Sequence, residues 1–139
     1  MPLHWTIDSR LRTFVATCDG TVDLAEVNVM LDAVVGANGL GYRKLFDGMN
    51  GNTQMSALDM LSIGVRIRAL QDGYREHGPL AIVVPDDKYA LMARLLGLLA
   101  AARRPMRVFK DVKAARKWLD SPGIRASLPA FDRRGALPA

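Results

Sequence analysis

The spacing of apolar and polar positions changes at every joint of the chain, and those changes predict its elements. Trp5 to Asp8 and Leu11 to Thr17 alternate around Ser9-Arg10, the pattern of an antiparallel hairpin. From Leu24 the period lengthens: Leu24, Val27, Leu31 and Val34 recur at three- and four-residue intervals, which predicts a first helix. Asp23 precedes it with Glu26 three residues on, a capping box, and Asn38-Gly39 supplies a left-handed stop. Tyr42 to Asp47 reads as a strand centred on Leu45 and Phe46, and Gly48 to Met55 as a loop rich in turn residues. Ser56 with Asp59 repeats the capping signature and opens a second helix running to about Glu76. Its apolar stripe is Met60, Ile63, Ile67, Leu70 and Tyr74, widened by Leu61 and Val65, while Arg66, Arg68, Asp72 and Arg75 face water. His77-Gly78-Pro79 ends it.

Leu80 to Val84 is a short apolar run stopped by Pro85-Asp86-Asp87, and an apolar helix is expected from about Lys88 to Ala102. Met106 to Lys110 reads as a further strand, after which Asp111 opens a basic amphipathic helix carrying Trp118 and Leu119. The order is therefore β-β-α-β-α-β-α-β-α. Three strand-to-strand connections run through helices, so strands two to five should be parallel with right-handed crossovers and the first strand an antiparallel edge. The expected fold class is α/β, with a single mixed, mostly parallel five-stranded sheet. Residues 3–120 form the predicted domain, and 121–139 a Pro- and Arg-containing tail with Leu128, Phe131 and Leu137 as isolated apolar residues.

Composition narrows the class. In a chain of 139 residues, half of them apolar, one sizeable core can form. The longest helix-like apolar run, Leu91 to Ala102, is interrupted by Arg94 and is shorter than the about 20 residues a membrane-crossing helix needs. The first residues lack the basic and apolar segments of a secretory signal, and Cys18 alone permits no internal disulfide, so a cytoplasmic location is expected. The formal charge of +5 is uneven: Arg103, Arg104, Arg107, Lys110, Lys113, Arg116 and Lys117 face only Asp111 in their stretch. This basic patch suits a solvated helix face and a charge-protected sheet edge. Arg94, Arg103 and Arg104 could also aid a peripheral contact at a membrane surface. Nucleic acid is not the expected partner, because no aromatic stacking platform interleaves with the cations.

Candidate chemistry is sparse. In an open parallel sheet the ligand crevice lies beyond the carboxyl ends of the strands, which here carry Asp47, Ser56, Asp86-Asp87 and Lys110-Asp111. Those four acids and one lysine suggest a phosphotransfer receiver, yet such a site needs its acidic pair after the first parallel strand, and here the pair follows the fourth. Asp87, Asp111 and Ser56 read as helix caps worth about 1 kcal/mol each. His4 is terminal, His77 sits in a helix stop, and Cys18 reads as a small buried apolar group, so nucleophilic catalysis has no obvious partners. No Cys/His pair has metal-ligand spacing, and Gly48-x-x-Gly51 lacks the residues of a phosphate or dinucleotide loop. Neither an enzyme nor a bound cofactor or metal is expected.

The 88–102 segment is the strongest functional pointer. Leu91, Met92, Leu95, Leu96, Leu98 and Leu99 occupy more of a helix than packing on a sheet requires. The surplus predicts cover by the chain's own second helix or tail, an interface with a second copy of the chain or another protein, or a wall for an apolar small molecule or lipid between the second and third helices, lined by Met60, Ile67, Leu91 and Leu95. Met49, Met55, Met60 and Met92 suit adaptable apolar packing of either kind.

Three segments carry a family resemblance: Tyr42 to Asp47, Leu80 to Val84 with its following helix, and Arg107-Val108-Phe109-Lys110-Asp111 leading to Ala114-Ala115-Arg116-Lys117-Trp118-Leu119. Over about residues 3–120 the chain resembles the SpoIIAA-like branch of the STAS superfamily, the fold of bacterial anti-sigma-factor antagonists, which is related to the CRAL-TRIO lipid carriers. The resemblance implies a non-enzymatic regulatory domain acting by protein association. It further implies a phosphorylatable serine in an Asp-Ser pair at the start of the helix after the third strand. That pair falls on Met55-Ser56: the serine is present, the aspartate is not, and Asp47 ends the strand before it.

Overall fold

The computed structural model describes residues 2–73, 78–85 and 104–126. Five strands form one sheet in the order β1-β2-β3-β4-β5, with β1 spanning Leu3–Asp8, β2 Thr13–Val22, β3 Arg43–Thr53, β4 Leu80–Val83 and β5 Met106–Phe109. β1 pairs antiparallel with β2, and every other neighbouring pair is parallel. The expected mixed, mostly parallel sheet with an antiparallel edge is what the chain forms.

Helices cover both faces. α1 spans Leu24–Gly36 and α2 Ala57–Gly73, while α3 spans Val112–Leu119 and a short α4 follows at Pro122–Ala126. Side chains alternate across a strand. Accordingly Leu3, Phe14, Ala16 and Cys18 join Val27, Met30 and Val34 of α1 in one cluster, with Ile63 and Leu70 of α2 packed against it. Leu45, Ala81, Val83 and Phe109 point the other way and meet Ala115 and Leu119 of α3. Fully buried Arg43, on that second face, donates to Asp120 at 2.9 Å and ties β3 to the end of α3.

The caps form where the sequence places them. Asp23 accepts from the Glu26 N–H at 2.8 Å, and Asp111 from the Ala114 N–H at 2.8 Å. At α2 the box is reciprocal: Ser56 Oγ accepts from the Asp59 N–H, and Asp59 Oδ2 from the Ser56 N–H, both at 3.1 Å. Glu26 does not complete its own box, since its Oε2 has no hydrogen-bond partner. Asn38 takes the left-handed conformation predicted for the α1 stop, at φ 56°.

Three expectations change. The stretch from Gly48 to Thr53 is not a loop: it continues β3, pairing Asn50 to Thr53 with Asp19 to Val22 after a bulge that follows Asp47. Turn-forming residues there are overridden by a partner strand that itself runs on to Val22, and Thr53 Oγ donates to the Val22 carbonyl at 2.8 Å. On α2, Leu61 and Val65 do not widen the buried stripe. They lie exposed, at 45% and 59%, beside Leu58 at 76%, because α2 meets the rest of the molecule through Met60, Ile63 and Ile67. Arg66, expected to face water, instead spans to α1, donating to Asn28 and pairing with Asp32. After α3, the Arg125 N–H donates to the Ser121 carbonyl at the start of α4. Tyr74, Arg75 and all of 88–102, where an apolar helix is expected, lie outside the described residues.

Candidate functional site: an apolar cavity with two buried cations

Between α1, α2 and the first face of the sheet lies a cavity of about 210 Å³ with an almost wholly apolar wall. The sheet contributes Phe14, Cys18, Phe46, Ile82 and Val84, all on the face shared with α1. The helical spacing that buries α1 also lines the space with Val27, Met30, Leu31 and Val34, and α2 adds Met60, Ile63 and Ile67. Gly64, buried on α2, keeps that wall thin. An apolar cavity of about 150 Å³ stays dry and accommodates benzene, so this one has room for a larger apolar body.

Two cations interrupt the apolar wall. Lys44 is the second residue of β3, where strand alternation sends it to the same face as Phe46, and it is only 7% exposed. Its Nζ donates to the Tyr42 carbonyl at 2.9 Å and, more closely, to the Leu40 carbonyl. Burial first, and then the nearby positive charge of Arg104, holds the Lys44 ammonium well below its usual pKa of 10.5. Arg104 precedes β5 and is 8% exposed, and burial lowers its pKa to about 10. Its Nε has no hydrogen-bond partner, and no carboxylate among the described residues pairs with it. Since Lys44 pairs in register with Leu80, which pairs with Met106, both cations sit at the amino-terminal end of the parallel strands.

The predicted site residues separate into groups. Met60 and Ile67 do line the cavity, together with Met55. Met49 does not; it is exposed at the bulge, where its N–H donates to Asp47 Oδ1 at 3.1 Å. Ser56 is exposed at the α2 cap, and among the described residues no hydrogen bond joins it to Asp47. Leu91, Met92, Leu95, Leu98, Leu99, Asp86, Asp87 and Arg103 lie outside the described residues. The basic patch is divided: Arg104 turns into the cavity, whereas Arg107, Lys110, Lys113 and Lys117 are exposed and Arg116 half-buried. The Arg107 guanidinium lies over the Phe109 ring, 5.2 Å from its centre. Among the described residues no three His, Cys, Asp or Glu side chains gather to hold a metal, and no helix is long and apolar enough to cross a membrane.

Sequence reasoning missed Lys44 altogether and assigned Arg104 to the surface. A signal existed for Lys44: in a strand covered on both faces every position is inward, so a lysine between Arg43 and Leu45 has to be buried. The α1 wall was also unforeseen, because the spacing of Leu24, Val27, Leu31 and Val34 predicts a helix but not what its apolar face borders.

A single mixed sheet in the order 1-2-3-4-5, with α1 and α2 on one face and α3 on the other, defines the SpoIIAA-like α/β fold. A solved structure with that fold, an uncharacterized protein of the DUF3478 family from Shewanella loihica PV-4, matches with a TM-score of 0.56 at 16% identity. The match covers 84% of this chain and 93% of that one. No protein-family model matches the chain, nor does any curated protein.

Proposed function

We propose that this chain is a non-catalytic binding module for an apolar small molecule, held between α1, α2 and the sheet. The observation that carries the reading is the cavity of about 210 Å³, with its methionine-bearing apolar wall. A core that only had to fold would close such a space, since voids cost stability in proportion to their volume. Titration of the purified, delipidated chain with the neutral apolar dye Nile red tests it. Saturable fluorescence enhancement is expected, weakened at least tenfold by Ile63→Trp, whose added bulk enters the cavity. No enhancement, or enhancement indifferent to Ile63→Trp in a chain with unchanged circular dichroism, removes the reading.

A second reading, self-association, is favoured by the exposed row Leu58, Leu61 and Val65 on α2, whose three- and four-residue spacing makes one continuous apolar stripe. Sedimentation should then give a dimer that Leu61→Asp converts to a monomer. A native chain that stays monomeric at high concentration excludes it.

A further inference from the structure

Lys44 and Arg104 are an unusual pair to find in the wall of an apolar cavity. Taking a cation out of water is costly unless an opposite charge compensates it. Neither has such a partner among the described residues, and Arg104 lies close enough to disfavour the Lys44 charge. Two carbonyls take up two of the three Lys44 donors, leaving one, and the planar Arg104 fork is without a hydrogen-bond partner at Nε. The donors unaccounted for match one carboxylate: Arg104 facing both oxygens, Lys44 reaching one of them. The apolar remainder of the cavity extends away from this end along Phe46 and Ile82 towards Met55.

We propose that the ligand of this cavity is an apolar carboxylic acid, its head held by Lys44 and Arg104 at the amino-terminal end of the sheet and its body lying between α1 and α2. The inference rests on the apolar-cavity reading and adds the charge of the ligand to it. An entering carboxylate supplies the missing counter-charge, so both cations become more basic on binding and the acid gains affinity that a neutral analogue of equal length does not.

The test is competition against Nile red with decanoate and decanol, which differ in the head group alone. In the native chain decanoate should displace the dye at a concentration at least tenfold below that of decanol. Arg104→Met should bring decanoate and decanol to within about twofold of each other as competitors, and Lys44→Met should reduce the preference. Arg104→Met removes a charge that has no counter-charge among the described residues, so its folding is not at stake; should Lys44→Met fail to fold, the Arg104 variant and the native comparison decide. Equal displacement by the two competitors overturns the carboxylate inference and leaves the apolar cavity standing. A preference for decanoate that survives Arg104→Met also overturns it. Native chain that binds neither dye nor competitor overturns both.

Discussion

At the scale of single residues, a few positions have no freedom. Gly78 runs so close to the β3 entrance that a Cβ there would lie 2.2 Å from the Tyr42 carbonyl oxygen and 2.4 Å from that of Gly41. Both contacts are backbone and cannot swing aside. Gly78→Ala should therefore destabilise the fold by roughly 1–3 kcal/mol, the usual cost of overpacking, read as a lower urea midpoint. Lys44 predicts a pH dependence of a definite sign. Its folded pKa is depressed, first by burial and then by Arg104, while the unfolded side chain keeps its proton to about pH 10.5. Between the two values the unfolded chain binds more protons than the folded one, so stability should rise with pH through that window and level off above it. Lys44→Met should flatten the slope in urea unfolding followed from neutral to alkaline pH; an unchanged slope would assign it to other groups.

Among the elements, α3 depends on its two ends. Asp111→Ala removes the acceptor of the Ala114 N–H and should cost about 1 kcal/mol. At the other end Asp120→Ala leaves fully buried Arg43 without this carboxylate, and a larger loss is expected, up to roughly 3 kcal/mol. Thermal unfolding of the two variants side by side checks the order. The Asp111 cap was legible in the sequence because a cap is a contact within one helical turn, whereas the Arg43–Asp120 pair, 77 residues apart along the chain, was not. The run of β3 through Gly48, Asn50 and Gly51 was not, because a strand's length is decided by its partner: β2 continues to Val22 and draws Asn50 to Thr53 into register beside it. The exposure of Leu61 and Val65 has the same origin, for apolar spacing alone cannot say which part of a wide stripe meets the sheet.

For the whole molecule, the proposed site implies a conflict between stability and binding. A buried cation without a counter-charge destabilises the unliganded fold. Arg104→Met should therefore raise the urea midpoint of the ligand-free chain, and decanoate should raise that of the native chain while leaving the variant's almost unchanged. If the variant is less stable than the native chain, Arg104 is a packing residue and its role in the cavity falls away.

Among the described residues, the amino-acid sequence by itself determined the order of the strands and of the helices after β2, β3 and β5, the caps at Asp23, Ser56 and Asp111, the parallel sheet with its antiparallel edge, and the inward character of Met60 and Ile67. All of these follow from neighbours within a turn or a strand, whose period and end signals are written locally. Only the tertiary structure decided that α1 walls a cavity, that β3 runs on to Thr53, and that Lys44 and Arg104 share one apolar space. The last of these depends on the register between β3, β4 and β5, which brings residues from distant parts of the chain to the same end of the sheet. Arg104 stands beside Arg103 and near Arg107 in the sequence, where its charge reads as surface, and pairing of β5 with β4 turns it inward.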